Sequence, residues 1–197
     1  MNLSFTDEQN LLRESVSNFC GSDYDFETRM KSVNSDNGHN SEHWKLFAEL
    51  GWLAIPFSEE LGGLDGGDVD LSLMFEEFGK SIVVEPYLAN VVLSGGVLKR
   101  SDLENKTDLI EHLITGEKQI SLANYEPQNG FNLDNIDCEI SEDGSVNGLK
   151  TTVLNAPNAD FFLVFGKYQT GHAFALIPKD AEGSKVTSYK TYDGFVS

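Results

Sequence analysis

The spacing of apolar residues changes near Gly116, and this change constrains the fold more than any other feature of the sequence. Before Gly116, apolar side chains recur at helical spacing, as from Leu71 to Phe75. After Gly116 they alternate with polar residues, the pattern of half-buried strands. A block of helices followed by a block of strands is typical of α+β proteins or of two domains. We therefore predict an all-α helical bundle over 1–116 and an antiparallel β-domain over 117–197.

Capping residues and glycines divide the first block into helices. Thr6 and Gln9 form a capping box, and Gly21 ends that helix. The glycines of 62–67 indicate a plain turn rather than a phosphate-binding loop, because no Lys-Ser or Lys-Thr pair follows them. The predicted helices, about six in number, run from Thr6 to Gly21, over 24–33, from Ser41 to Gly51, from Asp68 or Asp70 onward, from Pro86 to about Leu98, and over about 103–113.

Turn-forming pairs separate short segments in the second block. Asp143-Gly144 and Asn147-Gly148 are examples, and each lies between segments of alternating polarity. The predicted strands cover 119–123, 136–140, 146–147, 150–154, 161–165, 172–177 and 184–189. A further short extended apolar segment is predicted at 52–56 in the first block.

Charge and cysteine content exclude several classes of function. The chain has 32 acidic against 14 basic residues, a formal charge of −18, which repels nucleic acid and anionic membranes. The start of the sequence lacks the features of a signal peptide, and the chain has no apolar run long enough to span a membrane. Cys20 and Cys138 lie in no metal-binding or redox spacing. We therefore predict a cytoplasmic protein with reduced, non-catalytic cysteines, no membrane insertion and no nucleic-acid partner.

The histidines do not form a ligand pattern. His39 and His43 are one helical turn apart in spacing, but a loop follows His39. We therefore predict that the chain has no metal site.

Four short motifs follow one another along the chain. They are 5–9 with 11–13, 50–56 with 59–63, the pair Glu126-Pro127 after a predicted strand, and 147–150. In this order and spacing they resemble the acyl-CoA dehydrogenase family. The resemblance covers the whole chain and implies the N-terminal helical domain and part of the middle β-domain of that family, with its C-terminal helical domain absent.

Further segments resemble one branch of that family most closely. They are 85–88, 125–128, 150–154 and 192–194. This branch is the small subunit of heteromeric enzymes of the pimeloyl-CoA dehydrogenase type. The resemblance implies a homo- or hetero-oligomer with a related large subunit, and an electron-transfer protein as acceptor.

The resemblance also implies a reaction. Members of the family remove two hydrogens from the α,β-bond of an acyl-CoA thioester and pass the electrons to FAD, in fatty-acid metabolism and lipid degradation. The acyl group expected here derives from a dicarboxylic, steroid or aromatic acid. The family's carboxylate base lies in the C-terminal helical domain, so we expect no catalytic residue within these 197 residues and no activity of the chain alone.

Individual site residues follow from matching the motifs position by position. The implied cofactor-binding residues are Leu122, Asn124, Tyr125, Phe131, Thr152 and Leu154. Leu122 and Asn124, with Ala123 between them, are expected to offer backbone N–H and C=O groups to the edge of the flavin ring. The implied substrate-binding residues are Gly130 and Phe131.

Four of these positions depart from the family's usual residues: Tyr125, Phe131, Thr152 and Leu154. We therefore expect weak or absent FAD binding by this chain. The alternative function is a non-catalytic structural subunit that keeps the fold but has lost its flavin contacts.

Overall fold

The computed structural model describes residues 4–128, 132 and 135–197. It confirms the predicted fold class, with helices first and a sheet after them. The chain forms two compact units, one ending at Glu85 and one beginning at Pro86. The domain boundary near Gly116 stays a prediction. Among the described residues, no helix combines the length and the apolar character that a membrane crossing requires.

Over residues 4–85 the first unit has four α-helices, α1 Asp7–Ser22, α2 Phe26–Asn34, α3 Ser41–Glu49 and α4 Asp68–Ser81, and two short 3₁₀ turns. The capping box predicted at Thr6 is present, since Thr6 and Gln9 exchange side chain–backbone hydrogen bonds. Helix α3 is capped one residue earlier than predicted, because the Asn40 side chain accepts from the Glu42 N–H. The segment predicted to be extended at 52–56 instead begins with a 3₁₀ turn, Trp52–Ala54.

Aromatic side chains fill the core of this unit. Phe47 stacks on Phe78 with ring centroids 5.5 Å apart and approaches Trp52 at 4.8 Å. The glycine turn after this core is close-packed: a Cβ at Gly63 would lie 2.0 Å from the Phe57 carbonyl oxygen. The family motif at 59–63 therefore needs glycine for packing.

The second unit begins with the π-helix Leu88–Ser94, continued by α5 Gly95–Leu98, and with α6 Lys106–Ile114. Its strands are β1 Ile120–Ala123, β2 Glu139–Ile140, β3 Val146–Asn147, β4 Phe161–Tyr168 and β5 Gly171–Pro178. Strand β4 pairs parallel with β1 and β2 and antiparallel with β5, and β2 pairs antiparallel with β3.

The sheet is therefore mixed, and the prediction of a purely antiparallel sheet is corrected in this detail. A long connection joins β1 to β4 instead of a tight hairpin, and such a connection allows parallel pairing. The segments 150–154 and 184–189, predicted as strands, are irregular. The first is interrupted at Thr152, whose φ of 54° is incompatible with an extended strand. The second makes no ladder within the described residues.

Side chains of the π-helix satisfy the outer edge of β1. The Ile120 N–H donates to Asn90 Oδ1 at 2.6 Å, and Ser94 Oγ donates to the Ile120 carbonyl at 2.6 Å. Asn90 and Ser94 are fully buried. Two side chains thus fix the first residue of the strand that leads to the candidate site.

Candidate cofactor site

The two segments predicted to contact a cofactor meet at one edge of the second unit. One is the end of β1 with residues 124–128, and the other is 150–154. The Thr151 N–H donates to the Tyr125 carbonyl oxygen at 2.9 Å. The structure therefore brings together the two segments in which the sequence predicted cofactor contacts.

The predicted residues differ in exposure. Leu122, Asn124, Tyr125 and Leu154 are half-buried, and Thr152 is exposed. Within the described part of the chain, the Asn124 side-chain amide makes no hydrogen bond, so its donor and acceptor are available to a ligand. Gly130 and Phe131 lie outside the described residues.

Glu126 joins these segments. Its carboxylate accepts hydrogen bonds from Lys150 Nζ at 2.6 Å, the Asp137 N–H at 2.7 Å, Gln128 Nε2 at 2.9 Å and the Cys138 N–H at 3.0 Å. The side chains of Glu126 and Lys150 are 1% and 8% exposed. One buried carboxylate thus holds the segment after β1, the segment before β2 and the segment that carries Thr152.

The hydrogen bonds determine the protonation state of Glu126. Burial acts to raise the pKa of this carboxyl group, but the hydrogen bonds from Lys150 and from the Asp137 and Cys138 amides outweigh burial. The pKa is held below its ordinary value, so Glu126 is a carboxylate at neutral pH. A group of this kind is suited to structural pairing and unsuited to removing a proton from a weak acid.

Gly148 brings the fourth family motif, 147–150, close to Glu126. A Cβ at residue 148 would lie 2.7 Å from the Cys138 Sγ. The absence of a side chain therefore lets the 147–150 segment approach Cys138, whose N–H binds Glu126. Sequence reasoning identified the motif but missed the contact, because the spacing of the motif does not indicate what its glycine packs against.

Two left-handed residues shape the segment that follows Lys150. Thr152 and Asn155 have φ of 54° and 61°. Asn155 is anchored, because its N–H donates to the Val196 carbonyl at 2.7 Å and its side chain donates to Gln119 Oε1 at 2.6 Å. A β-branched residue such as Thr152 is rare in this region and marks a conformation held by its surroundings.

A cavity lies beside these segments. It has a volume of about 810 Å³ and opens between the sheet and two loops, 144–153 and 181–187. Its apolar wall includes Phe162, Val164 and Ile177. Of the predicted cofactor-binding residues that the structure describes, only Thr152 lines this cavity.

The donor set fits a flavin in part. The pyrimidine edge of a flavin carries alternating carbonyl and N–H groups, which the Asn124 amide can match. Thr152 is exposed and carries a hydroxyl, whereas Leu154 offers no polar group. Within the described residues no three His, Cys, Asp or Glu side chains form a metal site.

A second buried polar cluster lies in the first unit and was missed from the sequence. His43 Nδ1 is 3.2 Å from Glu85 Oε1, and the Glu85 side chain is fully buried. Tyr24 accepts from the Val84 N–H at 2.9 Å. Burial, assisted by the charge of Glu85, raises the pKa of Tyr24 well above its ordinary value. The motif at 85–88 therefore has a buried ionisable residue at its start.

Comparison with known families matches the first part of the chain. The family described as "Acyl-CoA dehydrogenase, N-terminal domain" matches residues 6–117. The L-prolyl-[peptidyl-carrier protein] dehydrogenase of Serratia sp. is 30% identical over 203 residues, covering 94% of this chain and 51% of that protein. The probable acyl-CoA dehydrogenase YngJ of Bacillus subtilis is 28% identical, covering 95% and 52%. The chain thus spans about half the length of these relatives.

Solved structures share the fold along the whole chain. The ChsE4-ChsE5 complex from Mycobacterium tuberculosis superposes with a TM-score of 0.87 at 24% identity, covering 100% of this chain and 54% of that one. The FAD complex of PigA gives a TM-score of 0.83 at 26% identity, covering 100% and 55%. The similarity therefore includes the second unit, beyond the residues that the family match covers.

Proposed function

Because this chain belongs to the acyl-CoA dehydrogenase family, we propose that it provides one wall of a flavin site in an enzyme that dehydrogenates an acyl-CoA thioester at its α,β-bond. FAD is the cofactor of relatives with this fold, as in the FAD complex of PigA. The wall consists of residues 122–125 and 152–154.

One observation supports this proposal above others: the Thr151–Tyr125 hydrogen bond joins the two segments that the family resemblance assigns to the flavin. Strand β1 and the segment after Lys150 are far apart in the sequence. Their meeting beside an available Asn124 amide creates a polar edge of the kind that a flavin ring requires.

When bound, FAD supplies the hydride acceptor of the reaction. The residues of this chain orient and shield it. Asn124 would donate to and accept from the polar edge of the ring, Leu122 and Leu154 would exclude water from it, and Thr152 would present a hydroxyl. We propose that the carboxylate base lies elsewhere in the assembly. The lowered pKa of Glu126 makes this carboxylate a weak base, and its oxygens already accept hydrogen bonds from Lys150 and two backbone amides.

The proposed partner is a related, larger subunit. The ChsE4-ChsE5 structure is a complex of two chains, and its similarity over the whole of this chain supports a heteromeric arrangement. We propose a CoA thioester of a dicarboxylic, steroid or aromatic acid as substrate and an electron-transfer protein as acceptor. Gly130 and Phe131 remain the proposed substrate contacts. The cytoplasmic location also stays a prediction.

A second candidate function is a structural subunit without its own flavin. Leu154 favours it, since an apolar residue stands where the resemblance implies a hydroxyl, and Tyr125 and Thr152 also depart from the family's usual residues. On this reading the chain supports an active partner and does not bind FAD tightly. The inactivity of the isolated chain is expected under both candidates.

Equilibrium dialysis with FAD, with the chain alone and with a related large subunit, tests the two candidates. Flavin retained by the complex and lost with Asn124→Leu supports the first candidate. Flavin retained equally by the Asn124→Leu complex supports the second, because this wall is then not used. An electron-acceptor assay with aromatic, steroid and dicarboxylic acyl-CoAs identifies the substrate class. Turnover by the isolated chain would contradict the expected inactivity.

A further inference from the structure

We infer that Glu126 and Lys150 are positioning residues, which hold the flavin-facing segment 151–154 against the end of β1. This inference rests on the proposed flavin wall and extends it to two side chains that face the protein interior. Neither residue is expected to touch the cofactor.

The Glu126–Lys150 ion pair lies next to the backbone hydrogen bond that joins the two segments. Lys150 precedes Thr151, whose N–H binds Tyr125, and Glu126 follows Tyr125 in the chain. The ion pair and the backbone hydrogen bond therefore join the same two segments at consecutive residues. Without the ion pair, the Thr151–Tyr125 hydrogen bond would still join the two segments, and Thr152 follows it directly in the chain.

The conformation of Thr152 supplies a second, independent observation. A left-handed φ of 54° is unfavourable for a β-branched residue, and it persists only where neighbouring contacts impose it. Asn155 is anchored on the far side by Gln119 and Val196. Lys150 is the anchor on the near side, so its bond to Glu126 helps to fix the direction in which Thr152 and Leu154 point.

General stabilisation alone does not account for the pair. Replacing a buried ion pair by apolar or neutral groups of similar size is often neutral or stabilising, so burial of these charges is weak support for a stabilising role. A better explanation is that the ion pair fixes the segment after β1 and the segment 150–154 in one arrangement. Donors to Glu126 come from three separate segments, 126–128, 137–138 and the one that carries Lys150, and these contacts together define one geometry.

The double variant Glu126→Gln/Lys150→Met separates positioning from folding. It removes both charges together and so leaves no uncompensated buried charge. Lys150→Arg, which keeps the charge, is the rescue variant. Lys118→Met is the matched control: Lys118 pairs with Asp160 at 3.0 Å in the same unit, with side chains 43% and 35% exposed, and the pair does not join the two segments.

Three quantities are measured on each variant. Thermal unfolding reports stability, and hydrogen exchange of the Thr151 amide reports how well the Thr151–Tyr125 hydrogen bond is kept. Equilibrium dialysis with the large subunit reports FAD affinity. We expect the double variant to unfold near the wild-type temperature. We also expect its Thr151 amide to exchange about tenfold faster and its FAD affinity to fall by about tenfold, as is typical when a group supporting a binding site is removed. Lys150→Arg should recover part of both losses.

Other results overturn the inference in distinguishable ways. Wild-type exchange of Thr151 in the double variant shows that the pair does not hold the segment. Faster exchange with unchanged FAD affinity shows that the segment does not position the flavin. If the wild-type complex binds no FAD, the proposed flavin wall has failed and the positioning role falls with it, while Thr151 exchange still reports whether the pair holds the segment.

Discussion

The Lys150 ammonium donates to the Glu126 carboxylate at 2.6 Å, and the two side chains are only 8% and 1% exposed. The same carboxylate accepts from the Asp137 and Cys138 amides. A buried charge with this many partners is costly to leave unpaired. The consequences of disturbing it are therefore measurable by stability as well as by ligand binding.

Removing one partner should destabilise the second unit more than removing both. Lys150→Met leaves the Glu126 charge uncompensated, and we expect a loss of about 3–5 kcal/mol in the free energy of unfolding. Glu126→Gln/Lys150→Met should recover most of it. Urea denaturation followed by circular dichroism measures the difference. A double variant as unstable as Lys150→Met would contradict the ionic explanation, whereas the exposed control Lys118→Met should lose at most about 1 kcal/mol.

Stability should fall in acid through Glu126. Its pKa in the folded chain is below the ordinary value of 4.5. The stabilising contribution is therefore complete above that pH and is lost as the pH falls through the lower, folded-state pKa. Urea denaturation of the wild type at several pH values from about 6 to about 3, the range in which carboxyl groups titrate, should show this loss of stability. Glu126→Gln should have a shallower dependence, and an identical slope for the two proteins would exclude Glu126 as its source.

Two glycines of the first unit, Gly63 and Gly79, should respond to alanine with stability changes of opposite sign. At Gly63 a Cβ would lie 2.0 Å from the Phe57 carbonyl oxygen, so Gly63→Ala should destabilise through a backbone clash. At Gly79, in α4, a Cβ has no neighbour within 4 Å. There alanine should stabilise by about 0.5–1 kcal/mol because it favours the helix. Thermal unfolding followed by tryptophan fluorescence measures both, and equal effects would show that the turn tolerates a side chain.

Asn90 should contribute more to the start of β1 than its neighbour Ser94. Asn90→Ala removes the acceptor of the buried Ile120 N–H, and we expect a cost of about 1–3 kcal/mol for the unsatisfied donor. Ser94→Ala removes a donor to the Ile120 carbonyl, and buried carbonyls without partners are better tolerated than buried N–H groups. Chemical denaturation of the two variants gives the order, and a larger loss for Ser94→Ala would reverse this assignment.

Both cysteines should be unreactive thiols in the folded chain. Cys20 and Cys138 are free and buried, and burial raises the pKa of each thiol. Little thiolate is therefore present at neutral pH. A thiol reagent should modify neither residue rapidly in the native protein and both after unfolding without reductant. Fewer than two reactive thiols after unfolding would contradict the predicted reduced state.

The sequence predicted features that depend on local pattern. The capping box at Thr6 and the start of β-structure after Gly116 were confirmed because each depends on residues near in sequence. The strand predicted at 150–154 was wrong, although Thr151, Thr152 and Val153 favour strands by propensity. The contacts of Asn155 with Gln119 and Val196 act over long sequence separations, and no local pattern indicates them.

The candidate site was predictable only in outline. The motifs placed cofactor residues on two segments, and the structure brings those segments together through Tyr125 and Thr151. The pairing of Glu126 with Lys150 was not predicted, since their separation matches no helix or hairpin spacing. The parallel pairing of β1 with β4 escaped for the same reason, because it depends on how the connecting segment folds.

Because Leu88–Ser94 is a π-helix, the number of residues in this segment matters for its contacts with β1 as much as their identity does. A π-turn accommodates one more residue than the α-helical turn it replaces. Deleting a single residue within 88–94 would let the helix relax to α-geometry and would turn the residues on one side of the deletion by about 100° relative to those on the other. Asn90 and Ser94 could then no longer both contact Ile120. Natural homologues that keep these two hydrogen bonds should therefore tolerate substitutions within 88–94 far more readily than insertions or deletions.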